Sequence, residues 1–149
     1  MYSQKRKKGN VGEEIVVNYL KRTGYEILEQ NYLKRFGEID IVAVKDVIIH
    51  FIEVKSQYIG VVTHETSAFD QDKYTLSVTR GTEYEDVFFP EENVHRLKKL
   101  RLAKTIQMYM FERGIDEEVN FQVDIIAVGI DIKKRQAKLR VLEDVVLIT

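Results

Sequence analysis

Asp40, Glu53 and Lys55 are the residues of this sequence whose types and spacing could do chemistry. They sit in the stretch FGEIDIVAVKDVIIHFIEVK, residues 36–55, where apolar residues otherwise dominate. Hydrolysing a phosphodiester needs a hard cation, held by oxygens, that polarises the phosphate and helps generate hydroxide. Asp40 and Glu53 can supply those oxygens, and the backbone carbonyl of Val54 is a natural third. Lys55 beside them can orient the attacking water or neutralise charge that builds on the phosphate. Carboxylates crowded together without a cation repel and take up protons, a penalty that a metal removes. The competing reading of the same residues is a solvated sheet face whose charges pair with one another.

The elements that carry these residues decide whether they can meet. Residues 38–44 and 47–55 read as two strands of an antiparallel hairpin, separated by Lys45-Asp46. Side chains alternate across a strand, so Asp40 shares a face with Glu38, Val42 and Val44. Glu53 and Lys55 share theirs with Ile49 and Phe51. With that loop Val44 pairs with Val47 and Asp40 lies opposite Phe51. Asp40 and Glu53 are then diagonal neighbours on one face, with Cα atoms roughly 7–8 Å apart. Glu38 shares that face without an assigned role.

Upstream, residues 10–23 have a helical pattern, with Ile15, Val16, Val17, Tyr19 and Leu20 as the apolar stripe. Asn10 is the expected N-cap and Gly24 the expected terminator. Glu13 falls inside the apolar arc, between Val17 and Leu20, where a carboxylate is costly without a partner. A cation held by Asp40 and Glu53 would be one partner. A capping box with Asn10 would also account for Glu13, and the two readings are not exclusive.

Residues 25–33 read as a strand. Residues 56–90 form an irregular excursion in which KYTLSVTR alternates like a strand and a separate hairpin has room to form. A long helix is expected over residues 91–113, with acids in its first turn, Arg113 in its last and Gly114 as the stop. Two strands joined by a basic turn, DIKKRQ, finish the chain. The order α-β-β-β-α-β-β points to a mixed sheet packed between helices.

The 149 residues, 44% hydrophobic and 32% charged, fit one soluble domain over residues 1–149. The net charge of −1 excludes a globally basic nucleic-acid binder but leaves room for local basic patches. The absence of cysteine removes disulfides, thiolate nucleophiles and cysteine zinc sites, and suits the cytosol. The N-terminal KRKK is not followed by an apolar core, so it does not start a signal peptide. No stretch is long and uncharged enough to span a membrane. A cytoplasmic protein is expected.

Three segments recur in one known order. GNVGEEIVVNYLKRTGYEILEQNY, then GEIDIVAV, then FIEVK resembles the YraN family of small bacterial proteins. The chain is also similar to archaeal Holliday junction resolvases, which share the restriction-endonuclease-like fold. The likeness is strong over residues 9–55 and resumes more weakly over residues 93–113 and in FQVDIIAV. It implies a three-layer α/β/α fold with a mixed central sheet and a nuclease core of the PD-(D/E)xK type. Asp40, Glu53 and Lys55 would be its central triad, and Glu13 matches the additional helical glutamate of the resolvases. Gln57 falls where related nucleases often carry a polar residue. Mg2+ or Mn2+ would be the cofactor, branched DNA the substrate and a homodimer the assembly. Family members pass from Glu-x-Lys to the second long helix through a short loop, whereas this chain inserts the 56–90 excursion. Its acids Glu83, Glu85, Asp86, Glu91 and Glu92 would repel DNA if they faced it.

Asp124, in VDIIAV, echoes Asp40 but lacks a following acid-x-Lys, so it reads as structural. His50, His64 and His95 show no ligand spacing, and His50 points away from the carboxylates. Among the basic stretches, Lys5, Arg6, Lys7 and Lys8 are the preferred phosphate contacts, as a mobile arm just ahead of Glu13. Lys98, Lys99 and Arg101 fit the exposed side of an amphipathic helix. A structure-selective DNA endonuclease is the leading function. A non-catalytic nucleic-acid-binding or adaptor protein on the same fold is the alternative.

Overall fold

Two close glycine approaches shape the layers. In the computed structural model, which describes residues 4–59, 74–81 and 92–147, helix α1 spans Gln4–Arg22 and helix α2 spans Glu92–Glu112. The strands are β1 (Glu26–Lys34), β2 (Gly37–Lys45), β3 (Ile48–Tyr58), β4 (Thr75–Gly81), β5 (Phe121–Asp131) and β6 (Gln136–Leu142). They form one six-stranded mixed sheet in the order β1-β2-β3-β5-β6-β4. Residues alternate across it as a buried sheet requires. Ile41, Ala43, Ile52 and Val128 pack against Val16, Val17 and Leu20 of α1. Val42, Ile49, Phe51 and Val123 pack against Leu102, Ile106 and Tyr109 of α2. The expected three-layer, restriction-endonuclease-like α/β architecture is therefore present.

A Cβ added at Gly12 of α1 would lie 1.7 Å from the Ser56 Oγ of β3. The helix crosses the strand so closely that only glycine fits there. On the other face, a Cβ at Gly37 would lie 3.1 Å from Thr105 Oγ1 and 3.6 Å from Arg101 Cβ. Gly37 thus lets α2 rest against the start of β2. The first contact holds Glu13 over β3, and the second brings the basic face of α2 to the same end of the sheet.

Several expectations need correction. Helix α1 begins by Gln4, so Asn10 is internal and is not an N-cap. The capping-box explanation of Glu13 falls with it. Lys5, Arg6, Lys7 and Lys8 accordingly lie on helical backbone within α1. Gly24, at φ 94°, does end α1, with the Tyr25 N–H donating to the Leu20 carbonyl at 2.9 Å. Gly114 closes α2 in the same way.

The hairpin turns at Asp46-Val47, both at positive φ, and Lys45 pairs with Ile48. Lys45 looked like a turn residue. Instead its Nζ donates to the Thr23 carbonyl at 2.8 Å and lies over the Tyr25 ring, which keeps it in the strand. The register therefore moves by two residues: Val44 pairs with Ile49 and Val42 with Phe51. An even shift leaves each side chain on its expected face.

The excursion also contributes to the sheet. Thr75–Gly81 pairs in parallel with β6 at the edge, rather than forming a hairpin of its own among the described residues. His64, Glu83, Glu85, Asp86 and Glu91 lie outside the described residues.

Candidate functional site at the open end of the hairpin

Strands β2 and β3 part company where the charged residues lie. Their ladder runs from Lys45–Ile48 to Ile41–Ile52 and stops. Beyond that pair β2 stays with β1, while β3 continues along β5 as far as Tyr58. Asp40 and Glu53 are the next two residues, so they face each other across the opening instead of sitting diagonally. An Asp40 oxygen takes the place of the missing ladder acceptor, receiving the Val54 N–H at 2.8 Å. A residue in an extended strand turns its N–H and C=O to the same side. The Val54 carbonyl therefore faces this opening too.

Glu53 carries the cationic side of the site. Its Oε1 lies 3.0 Å from Lys55 Nζ and 3.4 Å from Lys98 Nζ of α2. Burial disfavours the Lys55 ammonium and holds its pKa below the ordinary lysine value. The Glu53 carboxylate works against that shift, and the adjacent Lys98 adds to it.

The acidic side is crowded. Burial first, and then the neighbouring Glu13, Glu53 and Glu38, push Asp40 up to about 7 despite the Val54 hydrogen bond. Glu13 is also pushed up to about 7, by burial and then by Glu38. Asn31 bridges these acids: with its amide nitrogen turned towards them, it donates to Glu13 Oε2 at 3.0 Å and to Glu38 Oε1 at 3.1 Å. Asn31 holds φ at 54° within β1, a conformation that asparagine tolerates better than most residues.

Among the described residues, no three acidic or histidine side chains gather closely enough to form a metal cage. A magnesium site does not require one, because Mg2+ commonly takes one or two carboxylates and keeps several waters. Beyond the contacts described above, Asp40 and Glu53 each have a second carboxylate oxygen, the Val54 carbonyl faces the opening, and the crowding of Asp40 by neighbouring acids favours a cation. The residues present fit a hard divalent ion. Glu13 lies beside that set through its effect on Asp40 and is tied to Asn31.

Of the remaining expected site residues, Gln57 is exposed on β3, two positions past Lys55. Lys5, Arg6, Lys7 and Lys8 stand at least five residues before Glu13 on α1. Asp124 accepts from Gln122 at 2.8 Å and from the Asp144 N–H at 3.0 Å, and pairs with buried His50 at 2.6 Å. That network accounts for both residues without a metal. Lys98 and Asn31 were missed. Lys98 looked like one more solvated cation, and only the position of Asn31 within the YraN-like stretch offered a signal.

The fold and this site define a restriction-endonuclease-like α/β protein with an Asp-Glu-Lys cluster. The model of the Uncharacterised protein family UPF0102 matches residues 12–128, and the chain belongs to that family. It is 38% identical over 121 residues to a UPF0102 protein of Campylobacter hominis, covering 81% of this chain and 82% of the relative. It is 36% identical over 124 residues to a UPF0102 protein of Campylobacter jejuni subsp. jejuni serotype O:2, covering 83% and 85%. Among the described residues, no helix is long and apolar enough to cross a membrane.

Proposed function

We propose that this chain is a metal-dependent endonuclease that hydrolyses phosphodiester bonds in DNA, with branched DNA as substrate and Mg2+ or Mn2+ as cofactor. The observation that carries the reading is the meeting of Asp40 with Glu53 where β2 and β3 separate, with Lys55 bonded to Glu53. Asp40, Glu53 and the Val54 carbonyl would hold the cation. When bound, it would supply the positive charge that polarises a phosphate and makes water more acidic. Lys55, with its lowered pKa, would orient the attacking water or neutralise charge on the phosphate. Glu13 would tune Asp40 and add an outer carboxylate for a water. A homodimer would suit a four-way substrate, and the lack of cysteine supports a cytoplasmic setting.

Lys98 extends this set. Its replacement by alanine is expected to slow cleavage about 10- to 100-fold, because it removes a cation beside Glu53 and Lys55. Lys98→Arg should recover much of the rate. Single-turnover rates of the two variants check this, and equal losses would argue for a role in packing.

The second reading, a nucleic-acid-binding or adaptor protein without catalysis, draws on one observation: Glu53 is already paired with two lysines. Labelled four-way, flap and linear DNA offered with magnesium, manganese or chelator separates the two readings. Asp40→Ala and Glu53→Ala should bind DNA without cutting it. Binding by every form, with no metal-dependent product from the wild type, would favour the second reading.

A further inference from the structure

The turn between β1 and β2 projects an aromatic ring beside a basic surface of α2. Phe36 is 42% exposed at that turn, with exposed Arg35 before it and Gly37 after it. Gly37 rests against Arg101 and Thr105, so the turn is docked on α2. Lys104 Nζ lies 5.8 Å from the centre of the Phe36 ring. Residues 93–111 contain five lysines and arginines and no acid. Lys98, Arg101 and Lys104 are spaced three apart, which puts neighbours on adjoining parts of one helix surface. At 1.5 Å per residue they span about 9 Å, roughly two to three nucleotide steps along one strand. One end of this row touches Glu53 and the other lies at Phe36.

We infer that this surface is the DNA interface, with the α2 cations on the phosphates of the strand leaving the site and Phe36 stacked on an unpaired base. The inference rests on the nuclease reading and deepens it. Cations at this spacing recognise a phosphate backbone of any sequence. A large exposed apolar ring fits the π-face of a base that has left its stack, which duplex interiors do not offer. Selectivity for branched DNA then comes from Phe36, and overall affinity from Arg101 and Lys104. The cations on α2, rather than Lys5, Arg6, Lys7 and Lys8, supply the main phosphate contacts.

Binding in chelator on an Asp40→Ala background tests this without chemistry or metal. Fluorescence anisotropy would compare a four-way junction, a flap and a linear duplex, with 2-aminopurine at the branch point as a stacking reporter. Phe36→Ala is expected to weaken junction and flap binding about tenfold, leave duplex binding within twofold, and abolish the change in 2-aminopurine fluorescence. Phe36→Trp should restore junction and flap binding and the 2-aminopurine change. Arg101→Gln with Lys104→Gln should weaken every DNA form and reduce the slope of log affinity against log salt by about two. The inference is overturned if Phe36→Ala keeps the wild-type preference and 2-aminopurine signal. It is also overturned if the α2 double variant keeps the full salt slope, or if the background protein binds none of the DNAs. Intact binding with no cleavage by the wild type would sink the nuclease reading alone.

Discussion

Asp40→Asn is expected to make the metal-free protein more stable at pH 8 while lowering DNA cleavage about a thousandfold or more. Burial and the neighbouring carboxylates raise Asp40 from 3.8 to about 7, so the folded state binds its proton more tightly than the unfolded chain does. The stability this gives is complete below about pH 4 and is lost as pH rises through about 7. Three units correspond to about 4 kcal/mol as a ceiling, at 1.36 kcal/mol per unit. Relaxation around the site reduces this to on the order of 2–3 kcal/mol, a melting-point gain of roughly 5–10 °C for a chain of this size. Asparagine keeps an oxygen for the Val54 N–H and removes the charge. Urea unfolding in chelator at pH 5 and pH 8 checks the stability half, with the gap between wild type and variant narrowing by more than half at the lower pH. Mg2+ should restore the wild type at pH 8 and leave Asp40→Asn unchanged. The activity half follows from losing an anionic oxygen where charge must be compensated. A variant that is less stable at pH 8 and cuts normally would contradict both halves.

The second large effect belongs to Gly12. An alanine there would put its Cβ 1.7 Å from Ser56 Oγ and 2.8 Å from Ser56 Cβ, so α1 must lift from β3. Overpacking of a dense interior typically costs about 1–3 kcal/mol and sometimes more, and this overlap is severe. Alanine's helix preference returns about 1 kcal/mol. The expected net loss is about 2 kcal/mol or more, read as a lower urea midpoint with an unchanged slope. Ser56→Gly in the same chain should recover most of it, because it removes the atoms that clash. Ser56 Oγ is buried without a hydrogen-bond partner among the described residues, so removing it breaks no such bond there. If the double variant is no more stable than Gly12→Ala, the close crossing does not explain the glycine. Because Glu13 follows Gly12, the single variant should also slow cleavage.

The features legible in the sequence were those with a local cause. Period-two alternation placed Ile41, Ile52 and Phe51 on the right faces, and glycines marked both helix ends. The face shared by Asp40 and Glu53 survived a wrong turn position because the error was even. What escaped depends on contacts distant in sequence. Lys45 stays in β2 because Thr23 and Tyr25 hold it, which no hairpin rule registers. Thr75–Gly81 alternates like a strand, but its parallel place beside β6 depends on residues some sixty positions away. Lys98 looked solvated until Gly37 brought α2 against β2. The start of α1 was misjudged because Asn10 and Glu13 imitate a cap inside a helix that has already begun.

In the proposed function, Asp40 and Glu53 together would enable phosphodiester hydrolysis with a divalent cation. Single-turnover cleavage of a labelled four-way junction, by wild type and Glu53→Ala side by side with Mg2+ and with chelator, tests it most directly. The expected result is product from the wild type with Mg2+ only, and none from Glu53→Ala despite comparable binding. Equal cleavage by the two proteins, or no cleavage by a wild type that binds the junction, would contradict it.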